Sequence, residues 1–214
     1  MIIYLIRHGK TFCNEKKLYC GISDVSLSEI GISELEEKRK SVNFPRCKKN
    51  FTSGAKRANE TFNILYPNER YEIIKEFGEY NFGEFELKSY DMLKEDKKYL
   101  EWILDESKGV SCPKGESRKD FEKRMKKAFL KLLLRLEEEG EEEALIVCHG
   151  GSIACILELF EKSGLDFYTY QPKCGGGYKL KVEQVTKNLK KEFSSLDFEE
   201  NIKNHIRLEI IERF

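Results

Sequence analysis

The sequence lacks the marks of several classes of protein. It carries no net charge, since 38 basic side chains balance 38 acidic ones, and it therefore offers no overall attraction for nucleic acid or an anionic membrane. Its seven cysteines include no C-x-x-C pair, which argues against zinc-finger and thioredoxin-like motifs. No apolar run approaches the ~18 residues that span a bilayer, and there is no internal repeat or low-complexity linker. Any attraction for an anion must be local.

The length of the chain, 214 residues, is sufficient for one domain with a sizeable core. We expect residues 1–214 to form a single domain with an insertion at about residues 80–116. The first apolar run is too short for a signal sequence and has no basic segment before it, so we expect a cytoplasmic protein with reduced thiols. The sequence leaves the oligomeric state open.

A cation and an imidazole follow the first apolar run of the chain. The run from Ile2 to Ile6 predicts a buried strand, and Arg7, His8 and Gly9 come directly after it. Ligands of open α/β sheets bind just beyond the carboxyl ends of strands. A histidine that is neutral near pH 7, placed beside a fixed cation, suits attack on a phosphoryl group. A surface Arg-His pair without a function is the alternative.

The same arrangement recurs late in the chain. Residues 144–148 form another apolar run, and His149, Gly150 and Gly151 follow it, so that two of the three histidines stand between a predicted strand and a glycine. The glycines allow close approach of the backbone to a ligand, and the N-terminus of the next helix favours anions. Arg57, in the first turn of another predicted helix, would offer a second guanidinium to phosphate; an ordinary surface arginine is the alternative.

The remaining pattern predicts alternating strands and helices. Helices are predicted from Ser28 to before Pro45, from about Arg57 to Tyr66, over 87–106, over 117–139 and from the glycine pair to about Phe160. Further strands are predicted over 50–53, 71–74 and 178–182, with an irregular loop over 77–86. The last thirty residues fit either a helix or a strand.

Aromatic side chains are concentrated in the predicted insertion, which contains Tyr80, Phe82, Phe85 and Trp102. They would either form a lid over the site, which suits a substrate with an apolar or aromatic part, or pack the insertion onto the core. Thr11 and Asn14, after the first strand, would either donate hydrogen bonds to an oxyanion or only shape the turn.

The motifs together resemble the histidine phosphatase superfamily, also called phosphoglycerate mutase-like. They occur in the order of that family and extend from residue 2 to about residue 160: Arg7-His8-Gly9-x-Thr11 with Asn14, Ser53-x-x-x-Arg57-Ala58-x-Glu60-Thr61, Gly115-Glu116-Ser117 and His149-Gly150-Gly151. The stretch Glu79-x-x-Phe82-Gly83-x-Phe85-Glu86 is similar to the branch that contains α-ribazole phosphatase and broad-specificity phosphatases. The resemblance implies an α/β fold, a three-layer α/β/α sandwich with a mainly parallel sheet.

The resemblance also implies roles for individual residues. His8 would be the nucleophile that becomes a phosphohistidine, and Glu79 would be the general acid. The phosphate pocket would be formed by Arg7, Asn14, Arg57, His149 and Gly150. Local chemistry alone does not distinguish Glu79 from its neighbours Glu76, Glu84 and Glu86.

Two positions depart from the family pattern. Lys10 stands where Glu or Gln is usual, and Ser53-Gly54-Ala55 stands where Ser-Asp/Pro-Leu is usual. Neither departure removes a catalytic group, and both bear on contacts with the substrate.

We therefore predict a metal-independent phosphomonoesterase that hydrolyses a small phosphate monoester through phospho-His8, without a cofactor. The branch resemblance alone favours α-ribazole 5′-phosphate. The alternatives are a cofactor-dependent phosphoglycerate mutase, which returns the phosphate to the product, and a non-catalytic phosphate-binding module. A metal site built from His8, Cys148 and His149 is disfavoured, since the arginines would repel a cation. The expected partner is a small-molecule phosphate ester, with neither nucleic acid nor a membrane involved.

Overall fold

A central sheet organises the chain. A computed structural model describes residues 1–161, 163–184 and 206–214. In this part of the chain, six strands lie in the order β3-β2-β4-β1-β5-β6. The strands are β1 (Ile2–Arg7), β2 (Lys49–Thr52), β3 (Glu72–Ile73), β4 (Glu143–Cys148), β5 (Gly177–Gln184) and β6 (Ile206–Arg213). The helices are α1 (Phe12–Glu15), α2 (Glu29–Ser41), α3 (Lys56–Leu65), α4 (Tyr90–Leu93), α5 (Lys97–Ile103), α6 (Arg118–Glu138) and α7 (Gly150–Phe160).

The sheet is parallel in its centre and antiparallel at one edge. Strand β4 pairs in parallel with both β1 and β2, and β3 continues this parallel part. Strand β5 runs antiparallel to β1 and to β6. The mainly parallel sheet is therefore confirmed, and the C-terminal segment, which the sequence left open, ends in a strand. The rest of that segment, residues 185–205, lies outside the described residues.

Helices cover both faces of the sheet because β1 and β4 are apolar on both. On one face, Leu145 and Val147 of β4 pack with Leu35 of α2 and Phe62 of α3. On the other face, Ala144, Ile146 and Cys148 join a cluster that contains the apolar side of α6 and α7. The predicted three-layer arrangement is thus present. The apolar side of α6 is buried, and Ser117 and Asp120 form a capping box at its start.

Some elements differ from the sequence-based prediction. The helix predicted over 87–106 is divided into α4 and α5, because Ser89 and Asp96 each cap a new helix with a side-chain oxygen. The strand predicted over 71–74 is reduced to Glu72–Ile73. The loop at 77–86 contains one 3₁₀ turn, Gly83–Phe85, and the short helix α1 occupies the polar turn after β1.

The aromatic residues of the predicted insertion pack onto the core. Tyr80, Phe85 and Tyr99 belong to the same buried cluster as α6 and α7, and the partly buried Phe82 and Trp102 pack against it. The division of the chain into one domain with a lid at 80–116 stays a prediction. Within the described residues, no helix has the length and apolar character needed to cross a membrane.

Candidate active site

The two histidines leave neighbouring strands at the same level. Strands β1 and β4 pair in a register that places Arg7 opposite Cys148, so His8 and His149 emerge side by side beyond the carboxyl edge of the sheet. Their ring centroids lie 5.2 Å apart, with an angle of 66° between the ring planes. A cavity of about 470 Å³ opens above them. Of the predicted site residues, it is lined by Arg7, His8, Asn14, Arg57 and Glu79.

The ring of His8 is held in one tautomer. Its Nδ1 lies 2.7 Å from the carbonyl oxygen of Gly9. Because a carbonyl only accepts, Nδ1 carries the hydrogen and Nε2 keeps the lone pair. Burial lowers the pKa of His8 well below its usual value, the charges of Arg57 and Arg7 lower it further, and the Gly9 hydrogen bond opposes them. His8 is therefore a neutral imidazole at pH 7, as nucleophilic attack requires.

The two arginines are fixed by backbone carbonyls. The buried guanidinium of Arg57 donates to the carbonyl oxygens of Gly21 at 2.7 Å and of Ser23 at 2.9 Å. Arg7 donates to the carbonyl oxygen of Pro172 at 2.8 Å. In both arginines the Nε atom is buried without a hydrogen-bond partner among the described residues. A buried donor without an acceptor is costly, and an anion in the cavity would supply that acceptor.

His149 lies beneath the cavity and is fully buried. Its Nε2 lies 2.8 Å from the hydroxyl oxygen of Ser53, and its Nδ1 has no partner in the described part of the chain. Burial lowers the pKa of His149 well below its usual value, and the charges of Arg57 and Arg7 act in the same direction. His149 is therefore neutral in this state, and it becomes a cationic donor only if the charge of a bound phosphate raises its pKa.

Glu79 is a partly buried carboxyl group on the cavity wall. Its Oε2 accepts the N–H of Gly151 at 2.8 Å, and its Oε1 accepts the N–H of Tyr80 at 2.9 Å. Burial raises the pKa of Glu79 above its usual value, although these two hydrogen bonds and the arginines oppose the rise. A carboxyl group with a raised pKa is suited to hold a proton for a leaving group.

The two glycines after His149 have different surroundings. A Cβ atom on Gly151 would lie 2.2 Å from Oε1 of Glu79, so any larger residue there would require the carboxylate to move. A Cβ atom on Gly150 would lie 3.0 Å from Cζ and Nε of Arg7. Gly150 therefore makes room for the guanidinium, and its predicted contact with phosphate stays a prediction. Gly151, which lines the cavity, was expected to let the backbone approach a ligand but was not among the predicted phosphate-binding residues.

Arg124 holds the loop that carries Glu79. Its guanidinium donates to the carbonyl oxygens of Glu76, Gly78 and Glu79 at 2.8, 2.9 and 3.1 Å. It is itself held by the carboxylate of Glu116 at 2.6 Å. Sequence reasoning missed Arg124, although Glu116 belongs to a quoted motif. The clamp keeps the candidate acid in place from behind the cavity wall.

The other candidate acids have different partners. Glu84 pairs with Lys114 at 2.7 Å, Glu76 lies in a separate groove beside α6, and Glu86 is bonded to backbone N–H groups. Asp105 lies on the cavity wall, but hydrogen bonds from Ser107 and Val110 lower its pKa. Asp105 therefore stays ionised, and the geometry favours Glu79 as the proton donor.

Asn14 and Lys10 lie on different sides of the turn after β1. The side-chain oxygen of Asn14 accepts the N–H of Thr11 at 3.0 Å, which leaves its NH₂ group as a donor at the cavity wall. Lys10 forms an ion pair of 2.5 Å with Glu34 and is not among the residues that line the cavity. The unusual residue at position 10 is therefore outside the site.

Aromatic rings form the outer wall of the cavity. The rings of Tyr19 and Phe82 lie 5.0 Å apart, and the indole N–H of Trp102 donates to the hydroxyl of Tyr80 at 3.0 Å. The wall also contains Phe121, Phe167 and Tyr168.

Carboxylates occupy the cations of the outer cavity wall, which also carries the carboxyl groups of Asp105 and Glu106. Its two cations, Lys108 and Arg118, are paired with Glu122 at 2.8 Å and Glu158 at 2.7 Å. Among the described residues, no group of three or more His, Cys, Asp or Glu side chains is arranged to hold a metal ion.

Comparison with known proteins agrees with this geometry. The sequence profile of the histidine phosphatase superfamily (branch 1) matches residues 3–185, and the chain belongs to this family. A protein of Yersinia pestis (strain Pestoides F) named "Probable phosphoglycerate mutase GpmB" is 27% identical over 158 residues, which cover 72% of each chain.

Two solved structures are similar in fold. The α-ribazole phosphatase of Shigella flexneri superposes with a TM-score of 0.70 and 24% identity, over 86% of this chain and 92% of that one. The phosphoglycerate mutase of Thermus thermophilus superposes with a TM-score of 0.63 and 24% identity, over 84% of this chain and 92% of that one. These similarities confirm the phosphoglycerate mutase-like fold and leave the substrate open.

Proposed function

We propose that the chain is a metal-independent phosphomonoesterase that acts through a phosphohistidine at His8. The observation that carries this proposal is the anchored ring of His8, whose Nε2 is left with its lone pair beside the guanidinium groups of Arg7 and Arg57. A phosphoryl group needs positioning and charge neutralisation more than covalent assistance. The pocket supplies a neutral nucleophile and fixed cations in one place.

In the first step, Nε2 of His8 attacks phosphorus and the bond from phosphorus to the ester oxygen breaks. Arg7, Arg57 and Asn14 stabilise the charge on the phosphoryl oxygens through hydrogen bonds. The leaving oxygen takes the proton of Glu79, so that the alcohol departs neutral. The negative charge of the bound phosphate adds to burial in keeping Glu79 protonated until that moment.

In the second step, water attacks the phosphorus of phospho-His8. The carboxylate of Glu79, now ionised, accepts a proton from the water, and the bond from phosphorus to Nε2 breaks. Inorganic phosphate leaves, and His8 and Glu79 return to their starting forms. The step requires only a water molecule within reach of Glu79, which lies on the wall of the same cavity.

The outer cavity favours hydrolysis of an ester with a flat apolar part over mutase activity. Phosphoglycerate carries a carboxylate besides its phosphate, and a second anion calls for a second free cation. Lys108 and Arg118 are already paired with carboxylates, whereas aromatic faces line the same wall. α-Ribazole 5′-phosphate, with its aromatic base, fits this chemistry and agrees with the name of the Shigella flexneri relative. We place the reaction in the cytoplasm, where seven unpaired cysteines stay reduced.

Trapping the intermediate tests the proposal directly. Wild-type protein mixed with p-nitrophenyl phosphate and quenched in alkali should yield a peptide phosphorylated at His8, and the His8→Ala variant should yield none and turn over no substrate. EDTA should leave the rate unchanged. Full activity of His8→Ala, or loss of activity with EDTA, would overturn the mechanism. A screen of phosphate monoesters, including α-ribazole 5′-phosphate and 3-phosphoglycerate, then separates phosphate release from transfer.

A further inference from the structure

Glu86 gathers the backbone N–H groups of the loop at residues 21–23. Its carboxylate accepts the N–H of Gly21 at 3.0 Å, of Ile22 at 3.1 Å and of Ser23 at 3.2 Å, and it also accepts the N–H of Phe82 at 3.2 Å. Successive N–H groups that converge on one anion form a concave nest. Here the anion belongs to the protein, and the loop 21–23 is shaped around it.

The carbonyl groups of the same loop hold Arg57. The oxygen of Gly21 lies 2.7 Å from one terminal nitrogen of the guanidinium, and the oxygen of Ser23 lies 2.9 Å from the other. The peptide units of the loop therefore point their N–H groups at Glu86 and their carbonyl oxygens at Arg57. Because both terminal nitrogens are bound, the plane of the guanidinium is set by the loop.

The segment after Glu86 is fixed to the other end of the loop at some conformational cost. The N–H of Leu87 donates to the carbonyl oxygen of Tyr19 at 2.8 Å. In return, the N–H of Tyr19 donates to the carbonyl oxygen of Lys88 at 2.9 Å. Leu87 has a φ of 59°, a left-handed conformation that is unfavourable for a leucine. A Cβ atom on Gly21 would lie 2.6 Å from Oε1 of Glu86 and 1.7 Å from the carbonyl oxygen of Tyr80, so Gly21 lies directly against the carboxylate and against the backbone at Tyr80.

We propose that Glu86 is a positioning residue that sets the guanidinium of Arg57 for phosphate by shaping the loop 21–23. Glu86 is not among the residues that line the cavity, and it acts through the loop without touching the substrate. The inference rests on the proposed function only in taking Arg57 as a phosphate ligand. The proposal gives a structural role to Glu86, which local sequence chemistry did not distinguish from Glu79 as the general acid.

The test compares two identical substitutions on nearby residues. Glu86→Gln replaces one accepting oxygen by an NH₂ group that faces N–H donors, and Glu84→Gln is the control, since Glu84 pairs with Lys114 at the surface. The probe is inorganic phosphate, titrated by calorimetry. Glu86→Gln should weaken its binding by about tenfold or more, and Glu84→Gln should leave it unchanged. The acid limb of kcat/KM should move to higher pH in Glu86→Gln, because Arg57 no longer lowers the pKa of His8 to the same degree.

A double-mutant cycle separates positioning from general damage. In an Arg57→Ala background, Glu86→Gln should cause no further loss of phosphate affinity or of kcat/KM. Losses that add, or a phosphate affinity that Glu86→Gln leaves intact, would overturn the proposal. If Glu86→Gln fails to fold, Glu86→Asp keeps the charge on a shorter side chain and enters the same cycle. A protein that binds phosphate as expected but hydrolyses no ester would refute the proposed function and leave the role of Glu86 standing.

Discussion

The backbone N–H of Gly151 donates to the carboxylate of Glu79 at 2.8 Å, although the two residues are 72 positions apart in the chain. Gly151 lies in the first turn of α7, directly after Gly150. The candidate acid is therefore aligned with the phosphate pocket by the backbone of the helix that begins at the second histidine. Changes on either side of this contact should alter the proton-transfer step.

A methyl group at position 151 should displace the acid. In Gly151→Ala the new Cβ would lie 2.2 Å from Oε1 of Glu79, so the carboxylate must move. We expect kcat for an alkyl phosphate to fall by about tenfold or more. This is part of the rate acceleration of about 10²–10⁴-fold that a general acid supplies. Gly109→Ala is the control, because its Cβ meets only the hydroxyl of Ser107, at 3.2 Å. Equal activity of Gly151→Ala and wild type would show that Glu79 is not held as described.

Removal of the acid should affect poor leaving groups most. Glu79→Gln cannot transfer a proton, so hydrolysis of an alkyl phosphate should slow by about 10²–10⁴-fold. The p-nitrophenolate group leaves without a proton, and its release should slow much less. The measurement is kcat for a series of esters that differ in the pKa of the leaving alcohol. An equal decrease in kcat for every ester would indicate that another residue is the general acid.

Acid should destabilise the folded protein through its buried histidines. Burial and the neighbouring arginines lower the pKa of His8 and His149 in the folded state, whereas the unfolded chain titrates near ~6.5. Below that pH the unfolded state binds protons that the folded state does not, so the free energy of unfolding falls. The fall reaches about 1.4 kcal/mol per histidine per pH unit until the lowered pKa is reached.

Glu79 opposes this effect, because its raised folded pKa favours the folded state as pH falls towards 4.5. Urea unfolding at pH 7 and 5.5 is therefore best measured in Glu79→Gln. Adding His8→Asn to that variant should reduce the change in the free energy of unfolding between pH 7 and 5.5 by the contribution of one histidine. Stability that increases between pH 7 and 5.5, or a slope unaffected by His8→Asn, would contradict buried neutral imidazoles.

The aromatic wall should select for flat leaving groups. Trp102 lies on the cavity wall and contacts Tyr19 and Tyr80. Trp102→Leu should raise KM for p-nitrophenyl phosphate by about tenfold while changing KM for glycerol phosphate little, because one face of the wall is lost. Leu104→Ala, at a side chain that is 73% exposed, is the control. A similar change for both substrates would argue against contact between the ring and the leaving group.

Local patterns in the sequence predicted most of the strands and helices, whereas the three-layer fold was implied by the resemblance to a family. Apolar runs that end in Arg7-His8-Gly9 and His149-Gly150-Gly151 indicated strand ends, and parallel strands bring their carboxyl ends to one edge. The family match confirms the predicted fold. The roles of His8, Glu79 and His149 stay predictions, for which the geometry provides support.

The partners of these residues could not be predicted from the sequence. Ser53 meets His149 across 96 positions, and Arg124 reaches the loop before Glu79 across 46. Such contacts depend on how the layers pack, and a periodic pattern carries no information about them. The break between α4 and α5 was missed for another reason: Asp96 caps a new helix within a segment whose apolar spacing fits one continuous helix.

The pairing of β1 with β4 also has a consequence for how activity arises during folding. These strands lie far apart in the chain, and the two imidazoles come together only when they have joined. Joining distant segments is slow, because the chain loses the entropy of loop closure before the stabilising contacts between the strands form. Recovery of catalysis after dilution from denaturant should therefore report the assembly of the sheet and lag behind the return of helical circular dichroism.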